Sequence, residues 1–427
     1  MEISEIKRRA LEIIDARSED IIAIAEKIFA KPEMGYREFE TAKLVEEELR
    51  ALGIDCRTGL AVTGVKGNMA GRQSLARVAV IGELDSVTCT NHPCADRVTG
   101  AAHACGHHAQ VAAMLGAAMA LSAVKGELDG DVCFFATPAE EYVEIGFREK
   151  LAERDEIKFF GGKQELIRIG EFDDVDMAMM VHAQGNTPDN ELIFLDGSLG
   201  FVAKSVDFIG KAAHAGGEPY KGINALNAAM AAMMCIHAQR ETFRDEDKVR
   251  VHPIITNGGE LVNTVPDKVT MESYVRAASL EAVADASAKV DRAINGGAMA
   301  IGATANIKTH KGYLPLIQSS EMMELFEKNT EYLPTMPKIR HGEFMCGSTD
   351  IGDLGHLIPI IQPMMGGFAG KLHAEDFAVV DKTAAYINPA KLMALTVIDL
   401  LADGAKGALN IKANFVPTLT KEEYIKL

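Results

Sequence analysis

The sequence predicts an α/β protein in two parts: a covered mixed sheet between helices, interrupted by a smaller α+β unit. Three observations carry this reading. A chain of 427 residues exceeds what one hydrophobic core comfortably serves. Over the first third, helical periodicity alternates with short, continuously apolar runs, the pattern of strands buried on both faces. From Phe201 to His310 the order becomes β-α-β-β-α-β, that of a ferredoxin-like unit.

The elements follow in order. Ser4 to about Ala30 repeats apolar residues at three- and four-residue intervals and predicts a helix ending before Pro32. Glu38 to Leu52 is a second helix, closed by Gly53. Val78–Gly82 and Val132–Thr137 read as buried strands, with a helix of small apolar residues from Ala109 to Val124 between them. Met177–Val181 is a further apolar strand. In the insert, strands are predicted at Phe201–Ile209, Val249–Thr256, Lys268–Ala277 and Thr304–Thr309, with helices at Gly222–Phe243 and Ser279–Ile301. The outer segments, 1–200 and 311–427, then form one layer, and 201–310 is a lid or dimerisation domain hinged at Gly197–Gly200 and Lys311–Tyr313.

Composition narrows the function. Forty-four basic against 61 acidic residues give a net charge of −17, which argues against nucleic acid and anionic membranes as partners. The N-terminus shows no signal-peptide pattern, and no apolar run is read as long enough to cross a membrane. Seven scattered cysteines, an odd number, then suggest reduced thiols in a cytoplasm.

The chemistry concentrates in His103-Ala104-Cys105-Gly106-His107-His108 and in Pro138-Ala139-Glu140-Glu141. Cys105 and His107 offer two metal-ligand types at a helix start. The Glu pair ends an apolar strand, where carboxylates point toward a site more readily than toward bulk water. A metal-activated hydrolase needs both: ligands for the cation and a spare carboxylate for the proton of water.

These motifs, together with the inserted α+β unit, Gly210-Lys211-Ala212-Ala213-His214-Ala215, Asn263-Thr264-Val265-Pro266-Asp267 and Gly347-Ser348-Thr349-Asp350, resemble the M20 metallopeptidase family. Within it the chain is most similar to the aminoacylase and aminobenzoyl-glutamate hydrolase-like branch, which uses a Cys in place of a bridging Asp. The resemblance covers essentially the whole chain. It implies two divalent metal ions held by Cys105, His107, Glu141, His182 and His373, with zinc or manganese expected and cobalt or nickel as alternatives. It further implies Glu140 as general base, Asp85 as the carboxylate orienting a ligand His, and His214 reaching the substrate carbonyl from a partner subunit's lid. Asn263 and Arg276 fall where an anionic substrate group would be bound.

Two departures stand out. His108 occupies a position where many members of the branch carry Asp, which places an imidazole among the hydrogen bonds behind the ligands or in the pocket. The stretch from Tyr142 to Asp176 is long, charged and aromatic, and reads either as a pocket wall or as a surface excursion. The resemblance therefore implies hydrolysis of an amide C–N bond in a small N-acyl amino acid, aminoacyl conjugate or dipeptide, by a homodimer paired through the insert. Two alternatives stay open. One is hydrolytic deamination of an aromatic amine in a flat pocket built from Met364-Met365 or Phe159-Phe160; the other is a non-catalytic binding protein of the same fold.

Overall fold

The computed structural model describes residues 2–427, which divide into two compact units. The first comprises the chain up to Gly197, Ile317–Phe344 and Asp353–Leu427; the second is Ser198–Leu316 with Met345–Gly352.

The first unit is built on a six-stranded sheet in the order Asp55–Leu60, Gly64–Met69, Asp131–Thr137, Arg77–Glu83, Met177–Met179, Ile360–Ile361. The last four run parallel, and the first two form an antiparallel edge, so the sheet is mixed. Val78 to Ile81 and Val132 to Ala136 are fully buried, as continuous apolar strands covered on both faces must be. The His107–Val124 helix lies against this sheet and against helices Ile3–Ala16, Ser18–Phe29 and Asn388–Asn414. Its alanines let those neighbours approach closely. By length and composition the stretch His107–Glu127 is apolar enough to cross a membrane, contrary to the sequence expectation. Most of it is packed inside the protein, which makes it a core helix.

The N-terminal helix is two helices. They meet at Arg17, whose φ of −106° and ψ of 11° leave the helical region, and Ser18-Glu19-Asp20 restarts the helix with an acidic first turn. The 142–176 stretch is no surface excursion. It carries helices Ile145–Glu153 and Gly162–Arg168, and buries both Arg148 and Lys163.

The second unit is an antiparallel sheet in the order Arg250–Asn257, Lys268–Ala277, Gly200–Ile209, Thr304–Lys311. Helices Ala225–Ala238 and Leu280–Ile301 pack on it through Ala228, Ala232, Val290 and Ile294. This is the ferredoxin-like arrangement. Asn224 and Ser279 cap the two helices by accepting from Asn227 N and Ala282 N. Lys204, on the inward face beside Val206 and Phe208, is buried because Asp291 pairs with it at 2.6 Å and Thr309 Oγ1 accepts at 3.0 Å. The segment Met345–Gly352 joins this unit, where Arg276 Nη1 donates to Ser348 Oγ at 2.6 Å.

Candidate metal centre

Five segments of the first unit converge at the ends of its parallel strands. Cys105 and His107 flank Gly106, which has φ 84°. A Cβ there would stand 2.4 Å from Ala183 Cβ, so both the left-handed turn and the close approach require glycine. The turn brings Cys105 Sγ to 3.6 Å from His182 Nε2 and 3.2 Å from His373 Nε2. His373 itself is left-handed, with φ 61°, and its backbone N–H donates to Ala104 O at 2.8 Å.

Two sets of donor atoms result, each lying within 4.8 Å of one another: Cys105, His107 and His182, all buried, and Cys105, Glu141 and His373. Cys105 belongs to both, as a bridging thiolate would. The ring orientations suit metal binding. His182 Nδ1–H donates to Ala183 O at 2.8 Å, which leaves Nε2 facing Cys105. His107 Nδ1–H donates to Asp85 O at 2.9 Å and lies 3.2 Å from Asp85 Oδ1, which leaves Nε2 inward. His107 Nε2 and Glu141 Oε1 are buried without a hydrogen bond of good geometry, although Glu83 Oε2 and His373 Nε2 lie 3.2 and 2.9 Å away. Buried donor atoms left unsatisfied around a thiol fit a divalent cation.

The electrostatics agree. Burial opposes the Cys105 thiolate, yet His107 and His182 hold the thiol well below its ordinary value. Burial likewise opposes a charged His373, but Cys105 and Glu141 push it up to about 11. Its side chain is 47% exposed, so the solvent moderates this attraction. Burial and the Cys105 charge raise Glu141. The Cys105 and Glu141 charges that hold a proton on His373 would also draw in a divalent cation.

Glu140 is placed differently from Glu141. It is buried, with Oε2 4.0 Å from His107 Nε2, while Glu141 meets His373. Asp85 Oδ2 accepts Glu141 N–H at 2.9 Å, so one carboxylate steadies both a ligand ring and the Glu pair.

His108 does not face this centre. Its Nε2 meets Tyr386 OH at 3.3 Å, and its ring packs 4.9 Å from Phe29 and 5.4 Å from His103. Burial holds His108 well below its ordinary value. Phe29 and Tyr386 also line a cavity of about 450 Å³, so His108 backs onto that cavity. Among the expected site residues, His214, Asn263 and Arg276 belong to the second unit. There His214 Nδ1 accepts from Gly217 N at 2.9 Å and Nε2 lies 3.4 Å from Asn263 Nδ2. The Arg276 guanidinium stacks 4.9 Å from the Phe201 ring.

Sequence reasoning missed Glu83 and Lys163. Glu83 Oε1 accepts from Lys163 Nζ at 2.6 Å, both fully buried, and Oε2 accepts from Gln110 Nε2 at 2.8 Å. Glu83 also groups with His107 and Glu140 as a possible ligand set. The signal was a Glu two residues before Asp85 at a buried strand end, and a Lys within Phe159-Phe160-Gly161-Gly162 and Leu166-Ile167.

Residues 79–397 match the model of peptidase family M20/M25/M40. Xaa-Arg dipeptidase of Mus musculus is 28% identical over 424 residues, covering 94% of this chain and 90% of that protein. N-acetyl-L-cysteine deacetylase of Bacillus subtilis is 28% identical over 308 residues, covering 69% and 68%. A dinuclear metal-binding peptidase of the M20 family from Bacillus subtilis superposes with a TM-score of 0.67 at 22% identity, over 91% of this chain and 99% of its own. An aminobenzoyl-glutamate utilization protein from Klebsiella pneumoniae gives 0.69 at 17%, over 91% and 97%. Fold and ligand set together define a metal-dependent hydrolase. The chain belongs to peptidase family M20/M25/M40.

Proposed function

We propose that the protein hydrolyses the amide C–N bond of a small N-acyl amino acid, aminoacyl conjugate or dipeptide, with Glu140 as general base. The observation that carries this is the meeting of both carboxylates of the Glu pair at one centre: Glu141 groups with Cys105 and His373, and Glu140, with Oε2 4.0 Å from His107 Nε2, groups with His107 and Glu83. Cys105, His107, Glu141, His182 and His373 are proposed to hold two divalent cations, zinc or manganese first. Bound there, such cations polarise the scissile carbonyl and lower the pKa of water to about 7. Glu140 then takes the proton of the attacking water and returns it to the leaving nitrogen.

His214 is suited to the carbonyl oxygen. With Nδ1 engaged by Gly217 N, it is Nε2, here 3.4 Å from Asn263 Nδ2, that would turn to the substrate. Arg276 offers a cation to a substrate carboxylate. We assign these contacts to a homodimer, in which His214 of one protomer serves the partner's centre. Met230 and Met234, 54% and 70% exposed and one turn apart on the Ala225–Ala238 helix, give the second unit an apolar face suited to pairing. A dipeptidase and an N-acyl amino acid deacetylase among the relatives support this substrate class. The residues expected to build a flat pocket for an aromatic amine are mostly packed away, with Phe159 half-buried. Met364 and Met365 are 1% exposed in a strand, and Phe160 is buried against Tyr142. We place the enzyme in the cytoplasm, its thiols reduced.

The test is a screen of N-acyl amino acids, dipeptides and aromatic amines with metal-reconstituted enzyme, measuring released carboxylate, amine and ammonia. Glu140→Gln should lower kcat by about 10²–10⁴-fold with metal content unchanged. Release of ammonia and a phenol would reject the amide reading, and loss of metal in Glu140→Gln would exchange the roles of the two carboxylates.

A further inference from the structure

The strand Asp131–Thr137 ends before the Glu pair, and both carboxylates meet the candidate centre, Glu140 4.0 Å from His107 Nε2 and Glu141 2.9 Å from His373 Nε2. Ala139 aims the pair. It has φ 51°, a left-handed conformation that a residue with a Cβ adopts only when its surroundings impose it.

Those surroundings are specific. Ala139 N–H donates to Glu38 Oε1 at 2.8 Å, and Ala139 O accepts from Gly162 N at 3.2 Å. Gly162 approaches so closely that a Cβ would stand 1.7 Å from Pro138 O. Arg148 donates to the backbone oxygen of Glu141 and to that of Phe160. Glu38 is fully buried, and its second oxygen accepts from Thr63 Oγ1 at 2.6 Å.

Glu38 stands at the N-cap of the Phe39–Ala51 helix, but its side chain does not cap that helix. Glu33 does so instead, accepting from Glu40 N at 3.0 Å and Thr41 N at 2.8 Å. The Glu38 carboxyl is thereby free of its local duty and reaches 101 residues along the chain.

We infer that Glu38 is a positioning residue, whose hydrogen bond holds Ala139 left-handed and so aims the segment carrying Glu140 and Glu141 at the centre. This rests on the proposed role of Glu140. Burial and the nearby Asp85 charge push Glu38 up to about 7, but a protonated carboxyl still has a carbonyl oxygen to accept from Ala139. The contact therefore needs an acceptor at this point and not a charge.

Glu38→Gln keeps that acceptor; Glu38→Leu fills the buried space without one. In Glu38→Leu, kcat should fall about 10²-fold with KM and metal content near wild type, because small misplacement of reacting groups is costly. The Ala139 amide, followed by hydrogen exchange in metal-free protein, should lose its protection. In Glu38→Gln the amide should stay protected and kcat should stay within about fivefold of wild type. The inference is overturned if Glu38→Leu leaves kcat or amide protection unchanged, or if Glu38→Gln loses as much kcat as the Leu variant. Should Glu38→Leu not fold, Glu38→Gln decides alone: a protected amide with full kcat supports the role, and a 10²-fold loss rejects it. Turnover retained by Glu140→Gln would reject the base assignment while leaving the exchange result standing, so the two failures are distinct.

Discussion

Replacing Lys163 by methionine should destabilise the first unit far more than a change of one side chain on a surface would. Lys163 Nζ lies 2.6 Å from Glu83 Oε1, and neither side chain reaches solvent. The pair is a poor source of net stability, since both charges were taken out of water. Breaking it is another matter: Glu83 would remain buried without the lysine, beside Gln110, His107 and the like-charged Glu140. Such an uncompensated charge costs about 3–5 kcal/mol. At about 2 °C per kcal/mol for a unit this large, the metal-free protein should melt roughly 6–10 °C lower. Glu83→Gln combined with Lys163→Met removes both charges and should recover more than half of the loss.

The pH dependence supplies a second reading of the same pair. Burial would raise the Glu83 carboxyl, but Lys163 and His107 hold it below its ordinary value. Its contribution is therefore present above the unfolded carboxyl's pKa and is lost as pH falls through the depressed folded value. Thermal denaturation of wild type, Lys163→Met and the double variant against pH, with chelator present, is the assay. A shift under about 2 °C in Lys163→Met, or a double variant no better than the single, would refute the buried-pair account.

Other predictions concern the centre itself. Cys105→Ala should lower both metal content and rate. Cys133→Ala, at a fully buried thiol that burial pushes up to about 12, should cost only about 1 kcal/mol of stability, with metal content intact. Chelation should abolish turnover and added divalent cation restore it; chelator-resistant activity would remove the metal from the mechanism. Mixing Glu140→Gln with His214→Ala protein and allowing subunit exchange should give about a quarter of wild-type activity, because half the dimers are mixed and each has one intact site. Confirmed exchange with no recovery would mean that His214 acts within its own chain or not at all.

What the sequence disclosed follows physical locality. Periodicity located the strands and helices of the second unit and the central strands of the first, because each buries a face that its own residues define; Lys268–Ala277 alternates cleanly and forms a strand with those bounds, whereas the edge strands Asp55–Leu60 and Gly64–Met69 and the helix Asn388–Asn414 went unmarked. It did not mark the break at Arg17, since Ile14 and Ile21 keep helical spacing across it. Cys105, His107 and the Glu pair were visible through local motifs. Glu38, Glu83, Arg148 and Lys163 were not, because each acts on a partner at least seven residues away, and a buried charge looks like a surface charge until its counterpart is known. His108 was misplaced for a related reason. On a helix start, adjacent residues point in different directions, and that sends one imidazole to the centre and the next to Phe29.

The pairing of His182 has a consequence for biosynthesis. Cys105, His107 and His182 all precede the insert, so a growing chain holds one complete set of donors before half of it has been made. Yet the strand bearing His182 is fixed by residues made much later: His182 N donates to Pro363 O at 2.9 Å, and His182 aligns with Met364. The other set waits for His373. Neither can be shaped until the final quarter of the chain has emerged, so an unfinished polypeptide displays thiol and imidazole without a cage. A metal held by these residues would then be captured as a closing step of folding, and a truncated chain would lack the backbone that shapes either set.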